Sequence, residues 1–340
     1  MRNYHPENER LKRRYIAFVK ETKGQDHKSL DKIAAALVKF EESIRYKPFK
    51  AFHIEQARQF KTALERAKNP RTGQLLSLTT IDATLRMVKG FFEWLSQQQG
   101  FKKVLSFADA AYFNNNAKDA RAAHAVRQRP HPSPQAAYKA FQAMPEASEI
   151  ARRDKALFAF FMLTGARVKS AATLKLKHVN LADGTVFQDG REVDVKNSKV
   201  FMTGFFPVDP AYLACFIAWV KHLQETRLFG PEDALFPKPE RQLINGKFSF
   251  TTVSRSHYAN ANKLTQIIRL AFANVQLPQY TAHSFRNTLA LLMSNLNLSI
   301  EQQKAWSQNL GHDNLQTTVS HYMKVSEQRQ LELMGGLRKK

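Results

Sequence analysis

Between residues 114 and 133 the chain changes character, and that change limits what it folds into more than any other feature. The stretch NNNAKDARAAHAVRQRPHPS puts asparagines, basic residues and two prolines where apolar stripes had been. Proline fixes φ and lacks an N–H, so no regular helix runs through Pro130 and Pro132. Residues 126–133 are read as a linker, which leaves an N-terminal unit, 1–125, and a C-terminal unit, 134–340. A chain of 340 residues has the length of two ordinary domains.

The first unit has helical periodicity throughout. Leu11, Tyr15 and Phe18 share one helix face. Ser29 suits the cap of a helix bearing Ile33, Leu37, Phe40 and Ile44, and Ile54, Ala57 and Leu64 mark another. Asn69, Pro70 and Gly73 break the pattern. Thr79 then suits the cap of a helix with Ile81, Leu85, Val88, Phe92 and Leu95 on one stripe. The polar sides carry Arg58, Lys61, Arg66, Lys68, Arg71, Arg86 and Lys89. These are either solvated lysines and arginines on a small bundle or a clamp for a polyanion backbone.

The second unit mixes patterns. SPQAAYKAFQAM and ASEIARRDKALFAFFMLTG are helices, the second with Ile150, Leu157 and Phe161 buried and Gly165 near its end. Lys169 to His178 continues in helical spacing. TVFQ, REVDV and KVFMTGFFPV are rich in Val and Phe, and Asp189-Gly190 is a hairpin signal, so a three-stranded sheet is expected. Helices resume at Ala211–Arg227 and Thr252–Asn274, then through Thr281–Tyr322, with a last short one at Ser326–Met334. The fold class is therefore mainly α with a small antiparallel β-sheet, in two domains.

The net charge is +23, from 52 Lys and Arg against 29 Asp and Glu. An excess this large points to a polyanion, with nucleic acid the first candidate. The basic residues are spread along the chain, which disfavours a membrane-surface helix. No apolar run approaches the roughly 18 residues of a membrane span, and MRNYHPENERLKRRY has no apolar signal core. The single cysteine, Cys215 in AYLACFIAWV, excludes a disulfide framework and is expected as a buried inert thiol. A reducing cytoplasm is the compartment this implies.

The chemistry concentrates between Thr281 and Tyr322. His283 and Arg286 stand one helical turn apart and so share a face. Thr281 is the candidate N-cap, and a helix N-terminus beside an arginine favours a phosphate. Leu310, Gly311 and His312 form an L-G-H turn, and Tyr322 follows ten residues after that histidine. Upstream, Thr164 to Arg167 read T-G-A-R. The order T-G-x-R, H-x-x-R, L-G-H, Tyr resembles the tyrosine recombinases, the phage integrase family, most densely from about Arg152 to Lys324.

Breaking a phosphodiester without a metal needs charge neutralised on the phosphate, a proton taken from the nucleophile and one given to the leaving oxygen. The resemblance implies Tyr322 as nucleophile, a phenol with a pKa of about 10 that needs adjacent positive charge to ionise. It implies Arg167 and Arg286 as the phosphate clamp, and His283 and His312 as the proton-sharing and phosphate-bonding groups. Many members place the tyrosine nine residues after the histidine; here the gap is ten, and a local bulge is expected to absorb it. Ser170 stands where the family has an acidic residue three positions after the first arginine, so that arginine needs another support. The general acid is expected to be a lysine of the hairpin, Lys196 or Lys199. In the family it precedes the strand's Pro-apolar end by about eight residues, and Pro207 is eight after Lys199, which favours Lys199.

No H-E-x-x-H, C-x-x-C or Walker loop occurs, and Asn245-Gly246-Lys247 is a turn. No acidic cluster suits two magnesium ions. Neither metal nor cofactor is expected. The resemblance implies a core-binding helical bundle in 1–125 and a catalytic domain in 134–340. It also implies double-stranded DNA as substrate, a 3′-phosphotyrosyl intermediate, a homo-tetramer on paired sites, and integration or excision of a mobile element with an accessory directionality factor. A type IB topoisomerase acting as a monomer and a non-catalytic DNA-binding protein of the same fold are the alternatives. The filling of all six positions argues against the latter.

Overall fold

Helix boundaries in the first unit follow capping chemistry. The structure is a computed structural model and describes residues 4–125, 130–195, 199–244, 247–312, 314–322, 330–332 and 334–335. Helix α1 (Pro6–Lys23) has proline in its first turn and stops at Gly24, whose φ of 57° is left-handed. Helix α2 (His27–Ser43) is capped by Asp26, which accepts from the Ser29 N–H; the expected cap, Ser29, lies inside the first turn. Helix α3 (Ile54–Arg66) starts from a capping box on His53. Helix α4 (Leu78–Ser96) is capped by Ser77 rather than Thr79, whose hydroxyl instead donates to Ala123 O at 3.1 Å. Helices α5 (Phe107–Ala110) and α6 (Ala117–His124) complete the unit.

Its core is aromatic. Phe40 meets Phe60, Phe92 and Phe113 edge-on at centroid distances of 5.2–5.3 Å. Buried Asn8 donates to Glu41 Oε1 at 2.9 Å and accepts from Phe49 N, tying α1 to the end of α2. Phe18, on the face of Leu11 and Tyr15, is exposed and stacks on Tyr15.

Chain contacts divide the molecule into two compact units, 1–125 and 126–340. Of the stretch read as a linker, residues 126–129 lie outside the described residues. Pro132 is held within the second unit, where its carbonyl accepts from Thr288 Oγ1 at 2.8 Å.

The second unit is built around α8 (Glu149–Thr164), which is buried on almost every side. Preceding it is α7 (Pro134–Gln142) and following it the single turn α9 (Val168–Ala171). The span expected as one helix from Lys169 to His178 is this turn and a separate 3-10 turn, Leu176–His178. Strands β1 (Val179–Asn180), β2 (Thr185–Asp189) and β3 (Val200–Gly204) form an antiparallel sheet in that order, with Val186 opposite Thr203 and Phe187 opposite Met202.

The third strand is thus β1, not the expected REVDV. Asp189 explains the difference. Its carbonyl accepts from Glu192 N and Val193 N, and its carboxylate grips the Arg191 N–H and guanidinium. That Asx-type turn outcompetes strand propensity and sends Val193 and Val195 into the core.

Helix α10 (Pro210–Lys221) runs on through one π-helical stretch, His222–Thr226. Strands β4 (Gln242–Ile244) and β5 (Lys247–Ser249) then make a hairpin that the sequence signalled only as a turn; Asn245 and Gly246 lie outside the described residues. Helix α11 (Asn262–Ala273) begins ten residues later than expected, because residues 252–256 pair in extended form with residues 238–240 and 234. Helices α12 (Ala282–Asn295), α13 (Ile300–Asn309) and α14 (Leu315–Tyr322) follow. Of the expected Ser326–Met334 helix, residues 326–329 and 333 lie outside the described residues. A small apolar cluster of Phe206, Leu289, Met293, Trp306 and Leu310 packs beneath the segment that carries the motifs. Among the described residues no helix is long and apolar enough to cross a membrane.

Candidate active site

Two motif glycines determine how the site is assembled. Gly165 ends α8 with a φ of 56°. A Cβ there would stand 2.7 Å from Leu310 Cδ2 and 3.0 Å from Leu289 Cδ1, so the T-G-A-R turn exists only pressed against the leucine of L-G-H. Gly311, with φ 72°, has Phe201 of β3 3.1 Å from its Cβ position and Arg167 Nη1 3.7 Å from it. The two turns therefore interlock, and Arg167, half-buried at the N-cap of α9, reaches the L-G-H turn.

Arg286 lies on α12 with only 2% of its surface exposed. Its Nη1 donates to Gly165 O and its Nη2 to Leu310 O, both at 2.7 Å, so one guanidinium joins the carbonyls of both glycine-containing turns. The same Nη2 stands 2.6 Å from His312 Nε2. Buried His312 places its Nδ1 2.8 Å from Thr318 Oγ1 on α14, and that hydroxyl is 2.7 Å from Ser307 Oγ on α13. A guanidinium has donors only, so Nε2 is the acceptor and the imidazole proton sits on Nδ1. Arg286, His312, Thr318 and Ser307 thus form a directed chain across three helices.

His283, one turn before Arg286 on α12, is exposed. Thr281 occupies the N-cap position, yet its side chain makes no capping bond; its carbonyl instead accepts from Ser284 N and Ser284 Oγ. Lys199 is half-buried immediately before β3, while Lys196 lies outside the described residues. Tyr322 is the last residue of α14, with its side chain outside the described set; so is Asp313, within the interval expected to bulge. Ser170 is buried and its hydroxyl donates to Asp194 O at 3.2 Å. Among the described residues no group of three or more His, Cys, Asp or Glu could hold a metal ion.

Three residues at the site carried no motif signal of their own. Thr318 and Ser307 fix the imidazole, and Asn309, the last residue of α13, bonds both backbone groups of Gly204 on β3. Their only sequence clue is proximity to L-G-H.

Interlocked T-G-A-R and L-G-H turns around a buried arginine, within a helical domain bearing a small antiparallel sheet, define an integrase-type catalytic domain. The chain belongs to the phage integrase family, whose model matches residues 134–329. Three solved structures share the fold. A XerH site-specific recombinase in a post-cleavage complex on palindromic difH substrate is 17% identical, with a TM-score of 0.61 over 92% of this chain and 80% of that one. A lambda integrase dimer bound to a COC′ core site is 12% identical, with a TM-score of 0.60 over 92% and 94%. A Tn1549 transposon integrase in complex with a circular intermediate DNA is 13% identical, with a TM-score of 0.60 over 96% and 98%. Among curated proteins, none matches the sequence.

Proposed function

We propose that the protein is a site-specific DNA recombinase that cleaves and rejoins double-stranded DNA through a 3′-phosphotyrosyl intermediate. The observation that carries this is the contact of Arg286 with His312 inside the interlocked turns, with Arg167 against the same turn and Tyr322 on the helix that supplies Thr318. The Tyr322 phenolate attacks the backbone phosphorus. Arg167 and Arg286 bind the non-bridging oxygens as charge builds in the pentavalent state. His283 takes or shares the phenol proton, and His312, whose Nε2 accepts from Arg286, holds that guanidinium at the phosphate. Lys199 protonates the departing 5′-oxygen. A 5′-hydroxyl of a partner strand then attacks the phosphotyrosine phosphorus and expels the Tyr322 oxygen, which regains its proton, so the phosphodiester energy is conserved and no ATP is consumed.

The first unit grips the DNA backbone, consistent with exposed Arg66, Lys68 and Arg71 and a net charge of +23. Strand exchange between two sites calls for a homo-tetramer. The complexes of the Tn1549 and lambda integrases with DNA support a role in integration or excision of a mobile element.

The test is incubation with the DNA flanking the protein's own gene, denaturing capture of the protein–DNA adduct, and sequencing of the junction. Tyr322→Phe should abolish the adduct and leave DNA binding nearly intact; an adduct surviving in that variant refutes the assignment. A supercoiled plasmid with one or two target sites separates recombination from simple relaxation.

A further inference from the structure

Strand β3, which follows Lys199, lies at the edge of its sheet, beyond β2. An edge strand presents backbone groups that a neighbouring strand would normally take. At Gly204 that neighbour is one side chain. Gly204 N donates to Asn309 Oδ1 at 2.6 Å, and Asn309 Nδ2 donates back to Gly204 O at 2.8 Å. A primary amide offers one acceptor and a donor, as a peptide unit does, so Asn309 completes the edge as a one-residue strand. Its own carbonyl accepts from Thr203 Oγ1 at 3.3 Å, and that hydroxyl accepts from buried Gln188 on β2 at 3.1 Å.

Asn309 directly precedes Leu310, whose carbonyl holds Arg286, and Gly311, against which Phe201 of β3 packs. The strand entered from Lys199 is therefore fastened to the Arg286–His312 turn at three points. The amide at Gly204 makes two short, directional bonds. The Thr203 hydroxyl on the Asn309 carbonyl is a single longer one, and the ring at Gly311 fixes distance but not slide along the strand. Phe206, just beyond β3, also rests on Trp306 at a centroid distance of 4.8 Å, so the strand stays docked without the amide.

We infer that Asn309 is a positioning residue that sets the register of the Lys199 strand against the arginine–histidine turn, so that the acid meets the leaving oxygen of the phosphate held by Arg167 and Arg286. The inference rests on Lys199 as the general acid. A misplacement of about an ångström in such a group slows reaction by up to about a hundredfold.

The experiment compares single-turnover cleavage of duplexes carrying an ordinary phosphodiester or a 5′-bridging phosphorothiolate at the cleaved position, mapped first with the wild type. A thiolate leaves without an acid. Asn309→Ala should slow cleavage of the ordinary substrate about tenfold to a hundredfold and cleave the phosphorothiolate at the wild-type rate, with the protein still folding cooperatively in a thermal melt. Asn309→Asp keeps the acceptor for Gly204 N but sets a carboxylate oxygen against Gly204 O; it should also be slowed and be rescued equally. Lys199→Ala is the reference. If Lys199→Ala is rescued and the Asn309 variants are slow on both substrates, or slowed on neither, the inference is overturned. If Lys199→Ala is not rescued, the acid assignment fails and the inference falls with it.

Discussion

Arg286 Nη2 stands 2.6 Å from Nε2 of His312, and the proton of that imidazole consequently faces Thr318 on α14. The arginine fixes the tautomer from one side and the threonine receives the proton on the other. Replacing Thr318 by valine keeps the shape and removes the acceptor, which costs about 1–1.5 kcal/mol, or roughly tenfold. Thr318→Val should slow single-turnover DNA cleavage by about that factor without weakening DNA binding in a gel shift, and Thr318→Ser should restore the rate.

The two arginines differ in burial, and their alanine variants should differ in kind. Arg286 supplies donors to two carbonyls in the interior, and each orphaned carbonyl costs about 1–3 kcal/mol. Arg286→Ala should lower the melting temperature as well as abolish cleavage. Arg167 is half-buried at a helix N-cap, so Arg167→Ala should abolish cleavage with little change in melting temperature. Thermal melts beside cleavage assays check both.

Acid should weaken the second unit through His178. Burial is the largest influence on this imidazole and holds its pKa below the ordinary value of 6.5, against the opposing pull of Glu192. Its Nδ1 accepts the Lys175 N–H at 2.9 Å, which requires that nitrogen to be unprotonated. The unfolded chain therefore binds the extra proton first, and stability falls as pH drops below 6.5 toward the folded value. Between about pH 7 and about pH 5 the melting temperature of the wild type should fall more than that of His178→Gln.

Cys215 is half-buried, and burial pushes its thiol up to about 11. At about pH 8 roughly one molecule in a thousand then carries the thiolate, against about a quarter for an ordinary cysteine. Labelling by a disulfide reagent should be slower in the native protein than in guanidinium by roughly two-hundredfold.

The sequence made legible whatever depends on short spacing. His283 and Arg286 are one turn apart on a single helix, and Gly311 adjoins His312, so these local placements could be read from spacing, while the roles expected of them came from the resemblance of the motif order. The mainly helical fold with a small antiparallel sheet was legible for the same reason. Asn309 was not, because its meaning lies in Gly204, 105 residues away, which only tertiary packing brings near. Choices between adjacent competitors also escaped it. Ser77 and Thr79 are both good caps, and the backbone prefers the one that leaves Thr79 to reach Ala123. At Arg191–Val195, strand-forming side chains lost to the turn that Asp189 closes around Arg191.

Helix α14 holds Tyr322 at its end and, four residues earlier, the hydroxyl that receives the His312 proton. The proposed nucleophile and the tautomer lock are thus wired to one lever. A chain that surrendered this helix would forfeit both in a single movement, and one that regained it would be rearmed as a whole, with no half-armed state between.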